Sequence, residues 1–408
     1  MRLTIKLAWR NLFRNKRRAF IAGTAIAVGL GAMIFTDALL IGMKRVMIRS
    51  ATDSFLGDAQ IHREGFRLSQ EAEATINDLG AVTARLEKEA TVESFTLRTT
   101  SFGMITSPAN VSSAFFVGVD PETEKNLSQI DDVIAEGDYF GGENERDIVI
   151  GSKLAETLEA GLGDRVVVTV SQAGSGDLAQ EMFRVSGIYH FNIQEMDSGF
   201  AFARLPKTQE MLGIGSGVHE IAIKFRDMKS GLDEKNPFWA EFSTGGNEAV
   251  SWLVLLPQMA SILGMFWISM AFMAFLLFGI VAFGIINTLF MSLYERLFEF
   301  GVLRAVGTRP SGVRSLIVFE AGALAVLSCA IGIVIGFVAT FIVTKTGIDY
   351  RGIEISGATM TEMLYPVFHI RQFILYPIGV FIFTLLTGHY PAVVAGRMSI
   401  TEAMRKSL

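Results

Sequence analysis

The sequence predicts an integral membrane α-helical protein, with four transmembrane helices and one large α+β aqueous domain between the first and second. Three observations carry this. Four long runs are almost free of charge: Ala19 to Ile41, Leu253 to Leu293, Val313 to Val343 and Phe373 to Tyr390. Half of the 408 residues are hydrophobic and the mean hydropathy is +0.40, yet 19% are charged, which leaves room for an aqueous domain. The charge is also divided. From Lys44 to Ser251 there are 19 basic and 33 acidic residues, a net of −14, whereas the rest of the chain nets +9. An acidic aqueous domain flanked by basic membrane segments excludes nucleic acid as a partner.

Residues 1–18 hold Arg2, Lys6, Arg10, Arg14, Lys16, Arg17 and Arg18 with no acid, so the positive-inside bias places the N terminus in the cytoplasm. The first span follows at 19–43. It is longer than a signal-peptide core and ends without an A-x-A site, so it is read as an anchor. Gly23, Ala27 and Gly31 recur every four residues and form a helix-packing stripe, and Asp37 near the outer end needs water, a partner or a cavity.

Residues 44–251 read as mixed α+β. Helices fit 71–89 and 152–162, and strands fit 114–119, 166–170 and 220–225. The glycines Gly213, Gly215 and Gly217 lack a following Gly-Lys-Ser/Thr and are read as a loop.

Residues 252–294 would reach about 65 Å as one helix against a hydrocarbon core of about 30 Å. The second span therefore includes a stalk outside the bilayer, with a break at Pro257. Met259, Met265, Phe266, Met270 and Met273 along it are candidate cargo-lining residues, although ordinary packing explains them equally well. Charge returns abruptly with Glu295, Arg296, Glu299 and Arg304, and 295–312 reads as a short amphipathic helix. Phe298, Val302, Leu303 and Val306 recur at helical steps, Arg296 can pair with Glu299, and Gly307 and Pro310 end the helix.

The third span, 313–343, carries the small-residue ridge Ser328, Gly332 and Gly336. Its acid Glu320 needs a partner, either His389 on the last span or a nearby arginine. A loop at 344–372, the fourth span at 373–390 and a basic tail from Pro391 at 391–408 complete the chain, with both termini cytoplasmic. Cys329 is the only cysteine, and the five histidines show no metal-ligand spacing. No phosphate-cradling loop or catalytic constellation appears, so neither catalytic, cofactor-binding nor metal residues are expected in this chain.

The stretch ERLFEFGVLRAVGTRP resembles the signature of the MacB/FtsX-like permeases, the type VII ABC transporter family, at Glu295, Arg296, Glu299, Gly301, Arg304, Ala305 and Gly307. The phrases FFVGVDPE, DIVIGSKLAETL, GLGDRVVVTV and FRVSGIYHFNIQEMDSGFAF resemble the MacB-type periplasmic core domain, so the resemblance covers nearly the whole chain. It implies that the α+β domain is periplasmic and that the seven residues couple to an ABC ATPase. Met1 stands almost at the membrane, unlike MacB with its fused ATPase, and the layout is similar to the LolC/LolE permeases. The resemblance then implies a transporter permease in the bacterial inner membrane rather than an enzyme. Two copies of a separate ATPase would bind ATP and Mg, and a second permease subunit would complete a homodimer or heterodimer. Mechanotransmission through the long helices would extract lipoproteins for a periplasmic carrier or adaptor. The alternatives are tripartite efflux of a drug, peptide or toxin, and FtsX-like control of a cell-wall hydrolase.

Overall fold

A computed structural model describes residues 9–10, 16–142, 144–227, 229–350, 354–355, 358–359 and 363–397. Residues 1–8 and 398–408, and with them most of both basic termini, lie outside the described residues. The chain divides into two units, one from 1–44, 263–349 and 364–408, the other from 45–262 and 350–363.

The first unit is helical. Its elements are α1 (Lys16–Ala51), α2 (Pro257–Glu295), α3 (Leu297–Ala305), α4 (Pro310–Thr346) and α5 (Gln372–Arg397). All but α3 are long and apolar enough to cross a membrane. On α2 the buried residues Leu277, Val281, Ile285, Leu289 and Leu293 recur every fourth position. They form one stripe in a core with Ile26, Leu30 and Ile34 of α1, Leu316, Ile317 and Leu324 of α4, and Val380, Ala392 and Ala395 of α5. Trp267, Phe275 and Phe283 of α2 point outward. That inverted surface is what a bilayer solvates, since apolar side chains lose nothing by facing lipid.

The break at Pro257 is present: Leu256 leaves the helical region between a short turn at Trp252–Leu255 and the 39 residues of α2, about 58 Å of helix. Pro391, in contrast, does not end the last helix, which continues to Arg397. Ala392 and Ala395 are buried in the core, and a Cβ on Gly396 would stand 2.5 Å from Nε of Arg314. Close packing of small residues holds the helix past a residue that lacks a backbone N–H.

The main sheet of the second unit has ten strands: β1 (Ala59–Arg63), β2 (Val92–Thr106), β3 (Val111–Val119), β4 (Ile134–Gly137), β5 (Asp147–Gly151), β6 (Arg165–Ser171), β7 (Leu178–Tyr189), β8 (Phe200–Arg204), β9 (Glu220–Phe225) and β10 (Asn247–Ser251). They run in the order β10-β1-β9-β2-β3-β8-β5-β7-β4, and β6 pairs with both β2 and β7. The pairs β3/β8 and β5/β7 are parallel. Because β6 bridges β2 and β7, strands β2-β3-β8-β5-β7-β6 close into a ring. Closure buries their inward residues, among them Ile105, Phe116, Ile150, Val168, Phe183 and Val185, in a single core and removes edges there.

All three expected strands are present, each within β3, β6 or β9. The helix expected over 71–89 is confined to Leu79–Leu86. Ahead of it, Ile76 donates its N–H to Val218 O (2.8 Å), and Asn77 exchanges hydrogen bonds with the side chain of Asn247 (2.9 Å each way). These tertiary bonds take the backbone groups that a first turn would use. The helix expected over 152–162 ends at Leu158, where Glu159 turns left-handed with φ of 49°. Gly213 is the left-handed cap of the helix Leu205–Leu212, so the glycine tract is a loop.

Candidate functional site

The charged motif sits at the junction of α2, α3 and α4. Arg296, with φ of −110° and ψ of 16°, turns the chain between α2 and α3. Its side chain is buried, donating Nε–H to Glu299 Oε2 at 2.8 Å and Nη1–H to Glu320 Oε1 at 2.6 Å. The guanidinium also lies 4.9 Å from the centre of the Phe300 ring. One arginine thus ties the start of α3 to the first third of α4. It is the partner that Glu320 requires, whereas His389 lies exposed on α5.

Gly301 is buried beneath α3. Gly307, at φ of +103°, allows the reversal into α4 that a side chain would resist. Glu295 and Ala305 face outward and Arg304 is half-buried. The apolar residues that suggested a helix, Phe298, Val302, Leu303 and Val306, are all exposed, Val306 by 83%. Leu297 and Phe300 hold α3 down instead. An apolar ridge faces away from the helical unit, carried on a segment fixed from beneath by Arg296.

The two small-residue stripes meet. A Cβ on Gly332 would stand 2.8 Å from Ala27 O, one on Gly23 3.2 Å from Ser328 Oγ, and those on Gly31 and Gly336 3.2 Å from each other's backbone. Helices α1 and α4 therefore approach at backbone distance. Of the methionine-rich set, Met265 and Met273 are exposed, Met259 and Phe266 are half-buried, and Met270 packs on the helical core. The structure does not gather them into one lining. Asp37 lies beside Tyr376 and lines a cavity.

Sequence reasoning missed a buried ion cluster in the second unit. Arg98 on β2 is fully buried and grips Glu124 with both Nε–H (2.9 Å) and Nη2–H (2.6 Å), and Nη1–H donates to Glu220 Oε1 (2.7 Å). Nη2–H also reaches Phe55 O at 2.7 Å, and the guanidinium stacks 3.8 Å over the Phe55 ring. Burial opposes the charge, but the two carboxylates hold the guanidinium above its ordinary pKa. Glu220, against the same cost of burial, is held low by His62 and Arg98. Phe55 belongs to the π-helical turn Thr52–Leu56 that continues α1. The turn is therefore bolted to β2, β9 and the Pro121–Glu124 helix.

The chain segment leading to α2 is fastened beside it. Trp252 is fully buried and donates its backbone N–H to Asp58 O (3.2 Å), Arg67 Nη2–H donates to Val254 O (3.0 Å), and β1 pairs with β10 from Ala59↔Ser251. The chain thus leaves α1 and enters α2 from adjacent, hydrogen-bonded strands. Asp58 Oδ2 accepts from Phe225 N–H at 2.9 Å, yet burial pushes its pKa up to about 6. A carboxyl raised in the folded state stabilises below its unfolded pKa and loses that contribution as pH climbs through 4 to 6. Asp58→Asn, which keeps the acceptor, is expected to raise stability by about 1–3 kcal/mol at pH 7.5 and to be neutral at pH 4. Thermal unfolding of the full chain at the two pH values checks this.

Comparison with known proteins gives two family matches, a MacB-like periplasmic core domain over residues 19–231 and an FtsX-like permease C-terminal region over 271–400. Among curated proteins, the chain is 22% identical to the lipoprotein-releasing system transmembrane protein LolC of Xylella fastidiosa, over 99% of this chain and 98% of that protein. It is 20% identical to LolE of Haemophilus influenzae over 98% of both chains. Among solved structures, the periplasmic region of MacB from Actinobacillus actinomycetemcomitans aligns over 52% of this chain and 95% of that one, with 14% identity and a TM-score of 0.34.

Proposed function

Because the chain belongs to the family of FtsX-like permeases with a MacB-like periplasmic core domain, we propose that it is the permease subunit of an ABC transporter that turns ATP hydrolysis on a separate subunit into movement of its periplasmic domain. The observation that carries this is the pair of fastenings just described. One mechanical element enters the domain through the Arg98-bound turn after α1, and the other through Trp252 ahead of α2. A displacement of α3 reaches α4 through Arg296 and Glu320.

The N terminus, α3 and the C terminus lie in the cytoplasm, and the exposed ridge of Phe298, Val302, Leu303 and Val306 receives the ATPase, two copies of which serve a permease dimer. ATP and Mg bind there, not in this chain. Full-length alignment with LolC and LolE supports extraction of acylated lipoproteins from the outer leaflet of the inner membrane and their delivery to a periplasmic carrier.

The test is native mass spectrometry of the nucleotide-free complex purified with its co-encoded ATPase. A bound acylated lipoprotein is expected, and a complex that never carries one in cells producing such lipoproteins overturns the cargo. Val302→Asp with Val306→Asp, both at exposed positions, is expected to abolish co-purification of the ATPase and lower transport more than about tenfold without changing Tm, because two charges are desolvated at the contact. Retained ATPase binding would remove the ridge from the interface.

A further inference from the structure

A cavity of about 290 Å³ in the membrane unit is lined by Asp37 of α1 with His369, Arg371, Gln372, Leu375 and Tyr376 at the start of α5. Three features set it apart from ordinary helix packing. Asp37 and Arg371 have opposite charge on one cavity, yet among the described residues neither has an ion-pair partner, and they stand too far apart to pair with each other. Among the described residues the Tyr376 hydroxyl is the polar group set against Asp37. An acid on a spanning helix is costly and calls for a counter-charge or a polar partner.

Gln372 is 2% exposed, and its Oε1 accepts the His369 N–H (3.3 Å), but its Nε2 has no partner among the described residues. A buried amide left with an unused donor lacks a ligand of its own. The cavity wall then runs into a greasy surface, since Leu375 is 61% exposed and Ile378, one turn on along the same face, is also exposed.

We propose that this cavity holds the headgroup of a zwitterionic aminophospholipid. The ammonium group donates to the Asp37 carboxylate, the phosphate accepts from the Arg371 guanidinium and from Gln372 Nε2–H, and the acyl chains lie along Leu375 and Ile378. Separated opposite charges on one wall fit a zwitterion, whereas an anionic headgroup without an amine leaves Asp37 unpaired beside it. The site would make a lipid molecule part of the contact between α1 and α5. It requires only that these helices span a bilayer, and it is independent of the cargo and of the ATPase.

The test is native mass spectrometry of the full chain released from micelles containing equimolar phosphatidylethanolamine and phosphatidylglycerol. One phosphatidylethanolamine per chain is expected to survive activation that strips phosphatidylglycerol. Asp37→Asn and Arg371→Gln should each lower that retention about tenfold, as loss of one charge-assisted contact does, while Arg371→Lys keeps it. Tm of each variant, compared with the parent, separates loss of the lipid from loss of the fold. Equal retention of the two lipids, or unchanged selectivity in folded Asp37→Asn and Arg371→Gln, overturns the site. A complex that carries no lipoprotein but keeps phosphatidylethanolamine leaves this site standing and refutes only the cargo.

Discussion

Arg296→Ala is expected to destabilise the membrane unit by about 3–5 kcal/mol, because it breaks a buried ion pair by removing one member. The measurable result is a lower Tm of the purified full chain. The pair need not be stabilising in itself, since replacing both members of a buried ion pair by apolar residues of similar volume is often neutral. Arg296→Met with Glu320→Leu should therefore recover most of the lost stability. On the proposed mechanism it should not recover coupling, because the double variant lacks the hydrogen bonds that tie Arg296 to both Glu299 and Glu320. ATPase activity that no longer responds to cargo, in a double variant of near-parental Tm, is the expected signature. Normal coupling in that variant would show that packing of Leu297 and Phe300 alone transmits the motion.

Arg98→Met should cost a similar 3–5 kcal/mol, here in the extramembrane unit. Its two acids are not equivalent. Glu220 keeps His62, whose Nε2 lies 3.6 Å from Oε2, whereas Arg98 supplies the ion pair at Glu124. Adding Glu124→Leu to Arg98→Met should therefore rescue stability, and adding Glu220→Leu should not. Proteolysis of the full chain near Thr52–Leu56, together with thermal unfolding, reads both, since the same arginine holds Phe55 O. Equal rescue by the two leucines would refute the asymmetry.

Neither arginine announces its role in the sequence. Arg98 lies in β2, whose buried positions include Thr96, Arg98 and Thr99, so the apolar alternation that marks a strand is missing there. Its acidic partners are 26 and 122 residues away. Arg296 was legible as one half of a pair with Glu299, because that pairing is local. Its second bond, to Glu320, spans 24 residues and depends on how α3 folds back on α4.

Long apolar runs, the basic flank before the first of them, the break at Pro257 and the two small-residue stripes are properties of composition and short spacing. The amino-acid sequence by itself therefore determined four spans, a large domain between the first two, and helix faces able to approach closely. Only the tertiary structure decided that the two stripes meet each other, that strands β2, β3, β8, β5, β7 and β6 close into a ring, and that α5 passes through Pro391. It also turned the apolar face of α3 outward and set Asp37 and Arg371 on one cavity. The physical reason is range. Hydropathy and helical period act over a few residues, whereas ion pairing, sheet closure and the burial of one helix face are settled by partners that the chain brings together from far along its length.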